Sequence, residues 1–228
     1  MKTIGLVGGM SWESTAHYYR ILNSEAARCL GGLHSAPLLI HSLDFAGIAA
    51  LQTEGKWDEA GAVLNDSARR LADAGAEVIG LATNTMHLVA DAMMEGVSAP
   101  FVHIAEPTAD ALLEDGHATI GLLGTRFTME MGFYRERLEA RGMTVLVPEV
   151  DRTNLNAIIF EELCRGIVRD ESRKTYVEAI GRLAARGASA VILGCTEIGM
   201  LIDDSVSPIP TYDTTDLHAK ALVSAALA

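Results

Sequence analysis

The chain is poor in aromatic residues, cysteine, lysine and proline, and each shortage closes off a class of protein. Aromatic residues make up 5% of the 228. A core must therefore be assembled from Ala, Val, Ile, Leu and Met, which the 49% hydrophobic content supplies. The length suits one large domain or two lobes. Cys29, Cys164 and Cys195 are an odd set without CxxC or CxxxC spacing. That excludes a disulfide framework and a zinc site, and the expected setting is a reducing cytoplasm. The lysines are Lys2, Lys56, Lys174 and Lys220. None ends a candidate strand, where a pyridoxal phosphate Schiff base would need one, so cofactor-independent chemistry is expected. The histidines show no metal-ligand spacing, and no metal is expected. No apolar run approaches a membrane span, and the N-terminal run is too short for a secretory signal. A net charge of −12 argues against nucleic acid and anionic membrane surfaces as partners. It leaves a small molecule, anionic ones included, because a cleft can be locally positive. A homodimer is compatible with the sequence.

What is present is a repeat. Arg70-Leu71-Ala72 and Gly75-Ala76 lead through Val78-Ile79-Gly80-Leu81-Ala82 into Thr83-Asn84-Thr85. Arg182-Leu183-Ala184 and Gly187-Ala188 lead through Ala190-Val191-Ile192-Leu193-Gly194 into Cys195-Thr196-Glu197. The offset is constant, since 182 − 70 and 195 − 83 both equal 112. Thr3-Ile4-Gly5-Leu6-Val7-Gly8 returns as Thr119-Ile120-Gly121-Leu122-Leu123-Gly124 at an offset of 116. Tyr19-Arg20 and Tyr134-Arg135 follow. A duplicated half predicts two similar lobes that place Thr83 and Cys195 on opposite sides of one cleft.

Short apolar runs alternate with longer helical patterns. The expected strands are Ile4–Val7, Leu38–His41, Val78–Ala82, Phe101–Ile104, Thr119–Leu123, Thr144–Val147 and Ala190–Gly194. Between them, segments such as Asp58–Ala74 carry apolar residues at helical spacing. Gly75 and Gly187 fall where a helix should hand over to a strand. The pattern predicts an α/β fold of two pseudo-symmetric lobes, each an open, mostly parallel sheet with helices on both faces. The lobe boundary is expected near Glu106-Pro107, giving 1–106 and 107–210. Open α/β sheets bind ligands at the carboxyl ends of their strands. Gly8-Gly9, Thr83-Asn84, Gly124-Thr125 and Cys195-Thr196 all lie there.

Cys195 is the sharpest candidate. At a strand end leading into a helix, backbone N–H groups would lower its thiol pKa. Thr83, its repeat equivalent, should face the same cleft, although a Thr there also serves as a helix cap. Asn84, Thr85, Thr125 and Thr196 bring hydroxyl and amide groups beside exposed backbone donors, a set suited to the carboxylate of an amino acid. Glu197 is placed to orient the thiol or a substrate ammonium. Gly8-Gly9-Met10-Ser11 fits neither GxGxxG nor GxxxxGK[ST] and reads as a loop that lets a small anion approach the backbone. Cys29, Cys164, His17, His41, His87 and His103 read as structural.

With these residues in place, the chain resembles the cofactor-independent aspartate/glutamate racemases over essentially its whole length. The resemblance rests on Gly5-Leu6-Val7-Gly8-Gly9-Met10-Ser11, Ser42-Leu43-Asp44-Phe45, Asn84-Thr85-Met86-His87, Gly124-Thr125, Ile158-Ile159-Phe160-Glu161-Glu162-Leu163 and Gly194-Cys195-Thr196-Glu197. It implies two α/β lobes with the active site in the cleft between them, and a last helix, about 211–228, packed back on the first lobe. It implies Cα proton abstraction and return between two cysteines, without cofactor. Cys195 resembles the cysteine that deprotonates the L-enantiomer. Asn84, Thr85, Thr125 and Thr196 resemble the α-carboxylate cradle, and Met10 and Gln52 further pocket residues. Two positions depart from the pattern. Thr83 stands where the family usually has cysteine, and Cys164 where many members have lysine. The expected function is an amino-acid racemase with an asymmetric Thr/Cys pair. Single-cysteine relatives (decarboxylases, maleate isomerases, hydantoin racemases) and a non-catalytic amino-acid-binding protein stay open as alternatives.

Overall fold

Short strands that are apolar throughout organise both halves of the molecule. The computed structural model describes residues 1–228. These form two units, Met1–His103 with His218–Ala228, and Ile104–Leu217. In the first, β1 (Ile4–Gly8) lies between β2 (Leu38–Ser42) and β3 (Val78–Leu81), all parallel, with Gly5 opposite Leu39 and Ile79. Its helices are α1 (Trp12–Leu30), α2 (Phe45–Glu54), α3 (Trp57–Asp73) and α4 (Ala90–Met93).

Successive side chains of a strand point to opposite faces, and both faces here are buried. Ile4, Leu6, Val78 and Ala82 pack with Tyr18, Leu22 and Ala26 of α1 and with Ala219, Leu222 and Val223 near the C-terminus. Val7, Ile79 and Leu81 pack with Ile48 of α2 and Leu64, Ala68 and Leu71 of α3. Each fully buried Leu or Ile contributes about 2 kcal/mol.

The second unit begins with α5 (Ala105–Glu114) and β4 (Thr119–Gly124), then α6 (Arg126–Glu130), α7 (Arg135–Ala140) and β5 (Thr144–Leu146). It continues through α8 (Arg152–Glu161), α9 (Asp170–Ala185), β6 (Ala190–Gly194) and β7 (Thr211–Asp213) to the start of α10 (Thr214–Leu227), whose residues from His218 on belong to the first unit. The strands are parallel in the order β5-β4-β6-β7. Ile120, Leu122, Ala190 and Ile192 face Leu112 and Leu138. Leu123, Val191 and Leu193 face Leu155, Ile158, Ile180 and Leu183, and Cys195 continues that face. By the repeat, Val191, Leu193 and Cys195 match Ile79, Leu81 and Thr83.

The duplication is visible in backbone detail. Gly75 and Gly187 follow α3 and α9 with φ of 98° and 99°, a left-handed conformation in which a Cβ would be strained. Gly5 and Gly121 sit mid-strand and let a helix leucine close in. A Cβ on Gly5 would lie 3.2 Å from Leu71 Cβ, and one on Gly121 would lie 2.9 Å from Leu183 Cδ1.

Two elements differ from the sequence expectation. Phe101–Ile104 is not a strand. Only Phe101 bridges to Ile79, where Ile79 N donates to Pro100 O and Val102 N donates to Ile79 O. The ladder stops there, and α5 follows at Ala105. Conversely, β7 went unanticipated, because three residues after Pro208 and Pro210 carry no legible period. No helix is long and apolar enough to cross a membrane.

Candidate active site

In the first unit the β1 and β3 ends carry the expected polar groups. Beyond Leu81 the chain runs through Ala82, Thr83 and Asn84 into a 3-10 turn, Thr85–Val89. Ala82 N still donates to Val7 O at 2.8 Å, so the ladder holds the chain up to the point where Thr83 emerges. Thr83 is 7% exposed, and Asn84 and Thr85 are buried. The turn has Asn84 at its start and no side-chain cap. Thr83 is therefore not spent as a cap. Its carbonyl accepts a 2.7 Å hydrogen bond from His87 Nδ1.

Gln52, buried on α2, donates from Nε2 to Met86 Sδ at 3.0 Å, and Met10 packs in the same apolar cluster as Met86. Both expected pocket residues thus lie beside the turn that follows Thr83. At the β1 end the loop packs against its own chain. Gly9 has φ 87°, and the space a Cβ would fill is taken by the backbone N and O of Leu43. The close approach is from the chain itself. Gly9 N donates to Thr15 Oγ1 at 2.7 Å, and Ser11 caps α1 by accepting from Ser14 N.

In the second unit the β6 end builds a cluster of thiols and one carboxylate. Cys195 Sγ donates to Glu197 Oε2 at 2.9 Å, and Thr196 Oγ1 donates to the same oxygen at 2.7 Å. All three residues are buried. Thr196 thus supports Glu197, a use its expected cradle role did not include. Cys164 and Tyr176 pack on the same cluster, and Tyr176 OH is held by Leu155 O at 3.1 Å. Thr125 is buried at the β4 end and caps α6, accepting from Thr128 N at 3.2 Å.

The expected depression of the Cys195 pKa is overturned. Burial pushes the thiol well above its ordinary value, and the Glu197 carboxylate and Cys164 push in the same direction. The reason is local. Only a three-residue 3-10 turn, Ile198–Met200, follows, so no α-helix N-terminus faces the sulfur. A negative neighbour takes its place. Burial and Glu197 likewise raise the Cys164 thiol. Cys195 is thus a thiol at rest, with a carboxylate positioned to receive its proton.

Sequence reasoning missed a cluster of imidazoles around His87, whose ring holds the Thr83 carbonyl. His87 and His103 rings lie 4.6 Å apart between centroids, and His87 and His218 rings 5.7 Å apart. Tyr18 OH hydrogen-bonds His218 Nδ1 at 2.8 Å, and His218 Nε2 donates to Val102 O at 2.8 Å. The only local clue was His87, one helical turn after Thr83.

Two parallel sheets thus carry these groups at their strand ends, an imidazole bound to the Thr83 carbonyl after β3 and a thiol hydrogen-bonded to a carboxylate after β6. The Asp/Glu/hydantoin racemase family matches residues 7–222, and the chain belongs to that family. A Yersinia pestis protein crystallised as a candidate Asp/Glu racemase is 48% identical, covers both chains fully and superposes with a TM-score of 0.91. PH1733, an aspartate racemase homologue from Pyrococcus horikoshii OT3, is 34% identical over the whole of both chains, with a TM-score of 0.85. The broad-specificity amino-acid racemase RacX of Bacillus subtilis is 25% identical over 99% of this chain and 98% of its own. The chain is accordingly an isomerase of the amino-acid racemase type.

Proposed function

We propose that the chain interconverts the enantiomers of an acidic amino acid, aspartate or glutamate, with Cys195 and Thr83 serving opposite faces of Cα. The hydrogen bond from Cys195 Sγ to Glu197 Oε2 carries this reading. Glu197 takes the thiol proton, and the thiolate takes the Cα proton of the L-amino acid. The electron pair moves into the α-carboxylate as an enediolate, where Asn84, Thr85 and Thr125 donate to the developing charge. Thr83, or a water it holds, gives a proton to the other face. Glu197 then returns its proton to solvent as Thr83 or the water recovers one. Met10 and Gln52 wall the first side. The acidic side chain is carried over from the aspartate racemase homologue and the Asp/Glu relatives. Working thiols of this kind need a reducing compartment, which supports the cytoplasm as the site of action.

Proton NMR in heavy water beside a chiral assay, with L- and D-aspartate and L- and D-glutamate, tests the reading. Enantiomers have equal free energy in water, so kcat/KM for inversion is equal from either side. Exchange with retention has no such constraint. L-substrate should therefore exchange its Cα proton through Cys195 faster than it inverts, and D-substrate should exchange poorly. Binding without exchange would make the chain a binding protein. Release of carbon dioxide from a dicarboxylic acid would make it a decarboxylase.

A further inference from the structure

The hydrogen bonds around Thr83 leave its carbonyl to a side chain. The 3-10 turn closes from His87 N to Asn84 O at 3.0 Å, one residue too late to use Thr83 O. The His87 imidazole supplies the donor instead, at 2.7 Å. A carbonyl oxygen only accepts, so Nδ1 carries the hydrogen. The ring is held in turn. It lies 5.6 Å from the Phe101 ring and tilts by 31° to it, while His103 and His218 stand edge-on to it at 71° and 77°. His218 is itself locked, since Val102 O takes its Nε2 hydrogen and Tyr18 OH donates to its Nδ1. Burial keeps His87 and His218 neutral, His87 with a pKa well below the ordinary imidazole value and His218 at about 4.

We propose that His87 is a positioning residue for the second face of the reaction. Its Nδ1–H anchors the Thr83 carbonyl and so aims the Thr83 hydroxyl at Cα, while His103, His218 and Phe101 fix the ring. The proposal rests on the assignment of Thr83 to that face. A hydroxyl is a weak acid and gains nothing from a strong base nearby, so its contribution depends on placement, and small displacements are costly in rate.

The amide nitrogen of Asn overlays the Nδ1 position of a histidine, and that of Gln overlays Nε2. His87→Asn therefore keeps the donor, and His87→Gln moves it away. We expect His87→Asn to retain kcat for inversion within about threefold. His87→Gln and His87→Ala should lose about tenfold to a hundredfold in kcat, with KM little changed and Cα exchange from the L-enantiomer largely kept. Loss of L-exchange in step with inversion, or a His87→Gln as active as His87→Asn, would overturn the proposal. If His87→Ala does not fold, the Asn and Gln pair decides alone, with matched circular dichroism. Thr83→Val, assayed in parallel, separates the two levels. Unchanged inversion in Thr83→Val would remove Thr83 from the reaction. Lost inversion in Thr83→Val with full inversion in His87→Gln would remove only His87.

Discussion

The strand ends after Leu81 and after Gly194 occupy equivalent places in a duplicated sequence, yet their chemistry is opposite. Both strands are preceded by a helix closed on a left-handed glycine, and both give way to a 3-10 turn. At the first, the Thr83 carbonyl is held by the His87 imidazole, a base that burial deprives of its proton. At the second, a thiol and a hydroxyl both donate to one carboxylate, and burial and that charge hold the thiol proton in place. One backbone plan therefore carries two environments. In the function proposed above, the carboxylate side loads and unloads a proton and the imidazole side fixes geometry. What differs is the side chain brought beneath the strand end, because local charge and desolvation set protonation more strongly than backbone geometry does.

The most direct way to break this comparison is to remove the thiol. Cys195→Ala should reduce Cα exchange by about a hundredfold to ten-thousandfold, the range supplied by a positioned acid or base. Cys29→Ala, at an exposed site, should be close to wild type. Proton NMR in heavy water measures both, and full exchange in Cys195→Ala would end the assignment.

A second prediction concerns the imidazole side. Histidines whose folded pKa is depressed add stability above the ordinary value near 6.5, and that stability is lost as pH falls toward the folded value. His218, at about 4 in the fold, should account for up to about 3 kcal/mol lost between pH 6.5 and 4, and His87 should add in the same direction. Urea unfolding across that window should show stability falling with acid, with a shallower slope in His218→Gln. A flat wild-type profile would mean that the cluster opens to solvent.

Glu197→Gln tests the other side more finely. Removing the negative charge lets the buried thiol ionise at lower pH, while removing the proton acceptor slows exchange, by about tenfold. The thiolate ultraviolet band, followed against pH in a Cys29→Ala, Cys164→Ala background, reports the first effect. A shift to higher pH would contradict the electrostatic role given to Glu197.

The smallest effect should come from making the two ends alike. Thr83→Cys supplies a second thiol, without a carboxylate beneath it, and should raise inversion by a few-fold to about tenfold. The gain in kcat/KM must be the same from either enantiomer. Initial rates by chiral assay from both enantiomers check it, and no gain would place position 83 away from the second face.

Much of this molecule was legible along the chain. Short apolar runs at Ile4–Val7 and Ala190–Gly194, helical spacing before Gly75 and Gly187, and the constant offset between copies are local patterns, and local patterns survive in a linear text. They determined the parallel α/β plan, the duplication, and the placing of Thr83 and Cys195 at strand ends. The surroundings of those two residues were decided only by tertiary structure. Cys195 meets Cys164 and Tyr176 through a shared core. The His87 ring that holds the Thr83 carbonyl packs with the imidazoles of residues 103 and 218, with Tyr18 against His218. Phe101 loses its strand to a single bridge, and Thr211–Asp213 gains one from its neighbour β6. A thiol's pKa depends on what solvent it has lost and which charges lie within a few ångströms. Neither is a property of its position in the chain, and so the sign of the Cys195 shift could not be read before the fold brought its neighbours in.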